Sequence, residues 1–202
     1  NRLSTLGRGG SDASAIMCAK FFNARKCVIY TDVEGVYTTD PKNLKKAKKI
    51  KVISYEEMLE MSSLGAKVMQ PNSIQDARLN RINIDVRSSF INKKGTLITK
   101  KKNVIRNRII TGITSTKNDA KLTLLGVKDR PGVAASIFKP LYKNSINVDM
   151  VVQNISANGR ETDLTFTIKS ENLVKTKKLI KQNMKIRFKK LIIDNKVSKV
   201  SI

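Results

Sequence analysis

The sequence predicts an α/β fold in two modules, and three observations carry that prediction. Near the amino terminus a glycine loop, an amphipathic segment and a β-branched run succeed one another as loop, helix and strand. The lysine-rich passage KKKNVIRNR at residues 100–108 then interrupts the pattern. Beyond it the expected elements run β-α-β-β-α-β, a rhythm unlike that of the first half. The expected boundaries are 1–103 for the first module and 104–202 for the second, with one complete six-element unit at about 120–193.

In the first module, SDASAIMCAKFFNA (11–24) sets Ala13, Ile16, Met17 and Phe21 at helical spacing, with Ser11 as a natural N-cap. KCVIYTDV (26–33) is β-branched between polar turns and predicts a buried strand. EGVYTTDPK is a turn-rich loop holding Gly35 and Pro41. SYEEMLEMSSL opens with Ser54 and Glu57 at capping-box spacing and lays Met58, Leu59 and Met61 on its apolar side. Gly65 interrupts that helix, and a second short one starts near Pro71, which suits a first helical turn. INIDVRSSF (82–90) alternates as a strand, and GTLITK (95–100) makes a further short one.

In the second module KLTLLGV reads as a strand, DRPGVAASIFKPLYKNS as a helix and INVDMVVQNIS as a second strand. Asn158-Gly159 is a turn signal, with TDLTFTIK as the hairpin partner. ENLVKTKKLIKQNM follows as a helix and IRFKKLII (186–193) as a fourth strand. This order is the split ferredoxin-like unit. The last residues, KVSKVSI, read as an unfinished strand, and with Asn1 at the other end the chain reads as a piece of a longer polypeptide.

Composition narrows the function classes. No apolar run of membrane-spanning length and no signal peptide are present, which predicts a soluble, cytoplasmic protein without membrane contact. A formal charge of +24 raises the question of nucleic acid. The lysines are dispersed, however, and aromatic residues make up only 5% of the chain, too few for a base-stacking platform. No nucleic-acid partner is expected. Histidine is absent, which removes imidazole catalysis and ligation from this chain. Cys18 and Cys27 have no pairing or metal pattern and are expected to be buried thiols.

The loop TLGRGGSDASA (5–15) matches neither a phosphate loop ending in Lys-Ser/Thr nor the spaced glycines of a dinucleotide site. Its paired opposite charges are the useful clue. Arg8 can fork a carboxylate with two hydrogen bonds, and Asp12 suits an ammonium, which together describe an α-amino acid. A surface ion pair between Arg8 and Asp12 that caps a helix is the alternative reading of the same residues.

LGRGGSD, YTDVEGVYTTDPK, SYEEMLEMSSLGAKVM, DRPGVAASIF and NVDMVVQN, in this order, resemble the aspartate kinases. These are members of the amino acid kinase family that carry ACT regulatory domains. The resemblance covers nearly all 202 residues. It implies the carboxyl-terminal part of an αβα kinase sandwich followed by a ferredoxin-like βαββαβ ACT domain. It also implies ATP-dependent phosphorylation of L-aspartate with Mg²⁺, and Arg8 and Asp12 in catalytic roles. Arg8, Gly9, Gly10 and Ser11 would bind the substrate. Thr31, Asp32, Tyr37, Lys42, Lys67 and Val68 would line the ATP site, Lys42 standing where the family usually has arginine.

The family's first strand carries a Lys-Phe-Gly-Gly-Thr-Ser loop that does not occur in these residues, so the chain by itself is expected to be inactive. For the ACT unit the resemblance implies lysine and/or threonine as effectors and a homodimer formed through ACT pairing. Asp129, Pro131, Gly132, Val133 and Ala134, with Ile146, Asn147, Val148, Asp149 and Gln153, would line the effector site. Without the resemblance, Asp129 to Gly132 reads as an ordinary turn and helix start. IITGITST (109–116) and KVSKVSI (196–202) would be strands of a second ACT domain. A non-catalytic, amino-acid-sensing regulatory subunit is the alternative at this point.

Overall fold

The computed structural model describes residues 7, 9–100, 109–155, 161–183 and 186–202. The chain forms two compact units, Asn1–Ser115 with Val200–Ile202, and Thr116–Lys199.

The first unit is a four-stranded sheet with three helices. Its elements are α1 (Gly10–Phe21), β1 (Lys26–Thr31), β2 (Val52–Ser54), α2 (Tyr55–Ser63), α3 (Pro71–Leu79), β3 (Asn83–Ser88) and β4 (Thr96–Thr99). The sheet order is β1-β3-β4-β2. β1 runs parallel to β3 and β2 parallel to β4, while β3 and β4 are antiparallel. Ile16, Ile53, Met58, Ile74, Ile84, Val86 and Ile98 form the centre of its core. The three-residue β2 carries no sequence signal of its own, because it is too short to alternate.

α2 begins as its sequence dictates. The Ser54 hydroxyl accepts the Glu57 N–H at 3.3 Å, and the Glu57 carboxylate accepts the Ser54 N–H at 3.2 Å. Tyr55 adds an anchor that the sequence does not announce: it is buried and donates its hydroxyl to the Ile82 carbonyl at 2.7 Å. That burial, with the charge of Glu56, pushes its pKa up to about 12.

α1 departs from expectation in two ways. Its N-cap is Gly9, not Ser11, which lies inside the first turn and is exposed. Its inward face is only Ile16 and Ala19, whereas Met17 and Phe21 are exposed. A twelve-residue helix with so narrow a buried stripe leaves Cys18 exposed too, so that cysteine is not the expected buried thiol.

The second unit has the 4-1-3-2 strand order of a ferredoxin-like sheet. Its elements are β5 (Thr114–Lys128), α4 (Val133–Lys143), β6 (Val148–Ile155), β7 (Glu161–Lys169), α5 (Leu173–Gln182) and β8 (Lys190–Ser201). The sheet order is β6-β7-β5-β8. β7 is antiparallel to both β5 and β6. The Asn158-Gly159 turn lies outside the described residues. Leu122, Leu124, Ile137, Leu141, Phe166 and Ile180 fill the core, with Phe138 packed edge-on against Phe166.

Two strand expectations change here. Residues 114–116 and 196–201 are not separate strands but the ends of β5 and β8. The polar stretch around Asn118 looks like a break in sequence, yet neither Gly nor Pro interrupts it and the strand continues. The fourth strand also starts at Lys190, four residues later than its apolar pattern suggests. Ile186 instead closes a turn onto Asn183 and buries itself in the core.

Candidate functional site

The glycine loop leads directly into α1. Gly9 has φ 74°, the left-handed region that a side chain resists. A Cβ there would also stand 2.0 Å from Gln70 Cγ and 2.8 Å from Gln70 Cβ. Gly9 is thus fixed twice, by conformation and by the approach of Gln70. Gln70 is the N-cap of α3, so the amino ends of α1 and α3 meet across a small cleft of about 150 Å³. Gly9, Gly10 and Ala13 line one side; Gln70, Asn72 and Ser73 line the other. Two helix starts facing one space bring two positive dipole ends together, a setting for an anion.

Asp12 stands in the first turn of α1, half-buried. Burial pushes its carboxyl pKa up, and a hydrogen bond from the Gln70 backbone only partly opposes this. A carboxylate so placed gains from a cationic partner. Arg8 lies outside the described residues. Gly10 and Ser11 are the first two residues of α1.

Thr31 ends β1 and donates its hydroxyl to the exposed Asp32 carboxylate at 3.1 Å. Both lie at the carboxyl end of a strand in a parallel pair, where α/β sheets characteristically bind ligands. Tyr37 forms an antiparallel bridge with Lys49, and burial, with the charge of Glu34, raises its hydroxyl pKa. Lys42 is exposed, its backbone N–H held by the Asp40 carboxylate at 2.9 Å. Lys67 is exposed in the α2–α3 loop, and Val68 packs against the core.

Gln70, Asn72 and Ser73 are the site residues that sequence reasoning missed. Pro71 announced the start of α3, but no local pattern shows that this start faces Gly9, sixty residues earlier in the chain.

In the second unit Asp129 and Pro131 are exposed, and Gly132 is the left-handed N-cap of α4 at φ 83°. Ala134 is half-buried in the first turn. Val133 and Ile146 are core residues, and Val148 packs on the core, so their side chains serve packing. Asn147 and Gln153 are exposed. Asp149, expected to meet an ammonium, is paired with that of Lys199. Among the described residues no helix is long and apolar enough to cross a membrane.

Residues 1–88 match the amino acid kinase family and residues 122–184 match an ACT domain. The chain is 45% identical to an aspartokinase of Helicobacter pylori, over 98% of this chain and 50% of that one. It is 43% identical to an aspartate kinase of Pseudomonas putida, over 99% of this chain and 49% of that one. Among solved structures it resembles E. coli aspartokinase III in complex with lysine and aspartate, with a TM-score of 0.77 and 29% identity. That match covers 99% of this chain and 44% of the other; the same enzyme with aspartate and ADP also gives 0.77. The chain spans about half the length of the curated relatives it matches.

Proposed function

We propose that this chain, a homologue of the aspartokinases over nearly its whole length, is part of an ATP-dependent aspartate kinase. The reaction would move the γ-phosphoryl group of ATP to the side-chain carboxylate of L-aspartate, giving 4-phospho-L-aspartate and ADP. It would stand first on the route to lysine, threonine and methionine.

The observation that carries the reading is the cleft between the starts of α1 and α3, one of whose lining residues, Gln70, hydrogen-bonds Asp12 through its backbone. A carboxylate nucleophile is already anionic at neutral pH, so no base is required, in keeping with a chain free of histidine. What remains is alignment and neutralisation of charge. The facing helix ends suit the anionic groups, Asp12 the substrate ammonium, and Arg8 the substrate carboxylate.

Thr31, Asp32, Tyr37, Lys42, Lys67 and Val68 would hold the nucleotide. Mg²⁺ would come with the phosphates and neutralise charge there.

The second unit would sense lysine or threonine through Asp129, Pro131, Gly132, Asn147 and Gln153, and would pair with a second copy. The E. coli relative crystallised with lysine supports an amino-acid effector.

Titration with L-aspartate, followed by NMR shifts at Gly10 and Asp12, tests the substrate reading against succinate, which keeps both carboxylates and lacks the ammonium. L-aspartate should bind at least about tenfold more tightly, and Asp12→Ala should erase the preference. Equal binding of both ligands counts against the reading. The 202-residue chain by itself should show no turnover in a coupled ADP assay.

A further inference from the structure

Residues 36–50 close on themselves as a short ladder. Ile50 N–H donates to the Val36 carbonyl at 2.8 Å and Thr38 N–H to the Lys48 carbonyl at 2.9 Å. Lys48 N–H donates to the Thr38 hydroxyl at 3.1 Å. This ladder carries Tyr37 and the loop with Lys42. It is anchored at three points.

The first anchor is the buried Thr96, whose hydroxyl accepts the Val36 N–H at 2.8 Å and donates to the Ile50 carbonyl at 2.6 Å. The second is Lys49, whose ammonium donates to the Lys94 carbonyl at 2.9 Å. The third is Ile113, whose N–H donates to the Thr38 carbonyl at 2.7 Å.

That third anchor is unlike the others because it comes from the segment that opens the regulatory strand. Thr111 donates its hydroxyl to Glu57 Oε1 at 2.6 Å, and the other oxygen of Glu57 belongs to the α2 capping box. Between these two contacts, Gly112 passes so close to Met61 that a Cβ would lie 2.8 Å from its Cε and 2.9 Å from its Sδ. Thr114, the residue after this segment, begins β5, which extends to Lys128, immediately before Asp129, with Asn118 left-handed at φ 66° and a register shift between Leu124 and Val127 along it.

We propose that Thr111–Ile113 is a clasp through which the regulatory strand sets the position of the nucleotide loop. The inference rests on the reading of 31–42 as a nucleotide loop and of 129–134 as an effector loop. Loss of order in β5 loosens the Ile113–Thr38 hydrogen bond, and a loosened nucleotide loop loosens β5 by the same free energy. Thr111 is a positioning residue in this scheme. Its hydroxyl ties the clasp to Glu57, a side chain already locked by the helix cap.

Amide hydrogen exchange on the 202-residue chain tests this without any ligand. Leu122→Ala, in the buried part of β5, should speed exchange at Thr38, Lys48 and Ile113 at least about twofold, the low end for coupled sites. Exchange at Ile84 and Val86 in β3 should stay unchanged. Thr111→Val should speed the same three amides about tenfold, one hydrogen bond's worth. It should also abolish the further response to Leu122→Ala, whereas Thr111→Ser should behave as the parent chain.

The proposal is overturned if the three amides ignore Leu122→Ala while Phe166 exchanges faster, or if β3 responds equally, which would mean global unfolding. It is likewise overturned if Thr111→Val leaves Thr38 and Ile113 unchanged. Should Leu122→Ala not fold, Ile137→Val loosens the same core by less. A separate titration with a non-hydrolysable ATP analogue, read at Tyr37, decides the nucleotide reading alone, and the exchange result stands whatever it shows.

Discussion

α1 and α4 begin in the same way and for different reasons. Each is led by a left-handed glycine, Gly9 at φ 74° and Gly132 at φ 83°, and neither has a side-chain cap. Around Gly132 a Cβ would meet nothing within 4 Å; around Gly9 it would meet Gln70 at 2.0 Å. So Gly132 answers to backbone conformation alone and stands before open space, whereas Gly9 is also part of a packed junction between two helices. One glycine leaves its loop approachable from outside. The other holds two helix ends against a shared cleft.

The comparison is broken most severely by Gly9→Ala. The strained φ adds to a clash that reaches Gln70 Cβ, so a loss of about 3 kcal/mol is expected in denaturant unfolding. Gly9→Ala with Gln70→Gly should recover part of it, since the obstructing side chain is then gone. If the single variant loses no more than Gly132→Ala, the approach of Gln70 adds nothing to the constraint on Gly9.

Asp119 gives the next effect. Burial pushes its pKa up, but hydrogen bonds from Lys169 and Thr116, with the charges of Lys169 and Lys199, outweigh this and hold it below the ordinary 3.8. A depressed carboxyl contributes stability above 3.8 that is lost as pH falls through its folded value. Asp119→Asn should therefore cost about 2 kcal/mol at pH 7 and flatten the acid limb of the unfolding curve. Asp85, held low by Arg87 and Lys26 against its own burial, should give the first unit an acid limb of the same sign.

Gly132→Ala should cost only about 1 kcal/mol, the conformational share by itself, and no partner substitution should rescue it. Asp12→Asn is the smallest change. Burial has raised the pKa of Asp12, so its charge opposes folding as pH rises from 3.8 towards neutrality. Removing that charge should raise the thermal midpoint slightly at pH 7 and not at pH 3. A lower midpoint at pH 7 would mean that Asp12 has a cationic partner within the chain.

What was legible in the sequence was local. The α2 capping box needs only Ser54 and Glu57, three residues apart, and it formed as read. The order of elements in the second unit followed from periods of two and 3.6. The inward face of α1 was misread because Met17 and Phe21 are as apolar as Ile16, and only the tertiary position of the helix decides which is covered. The Gly9–Gln70 junction and the Ile113–Thr38 hydrogen bond join residues sixty or more positions apart. Nothing in either neighbourhood signals its partner. The ends of β5 and β8 were hidden for the opposite reason: both are polar, and β5 passes through a left-handed Asn118, so only their continuity with longer strands makes them β-structure.

Thr116–Lys199 is one continuous stretch of chain. A ribosome therefore makes this unit in a single run, and its core can close from its own residues alone.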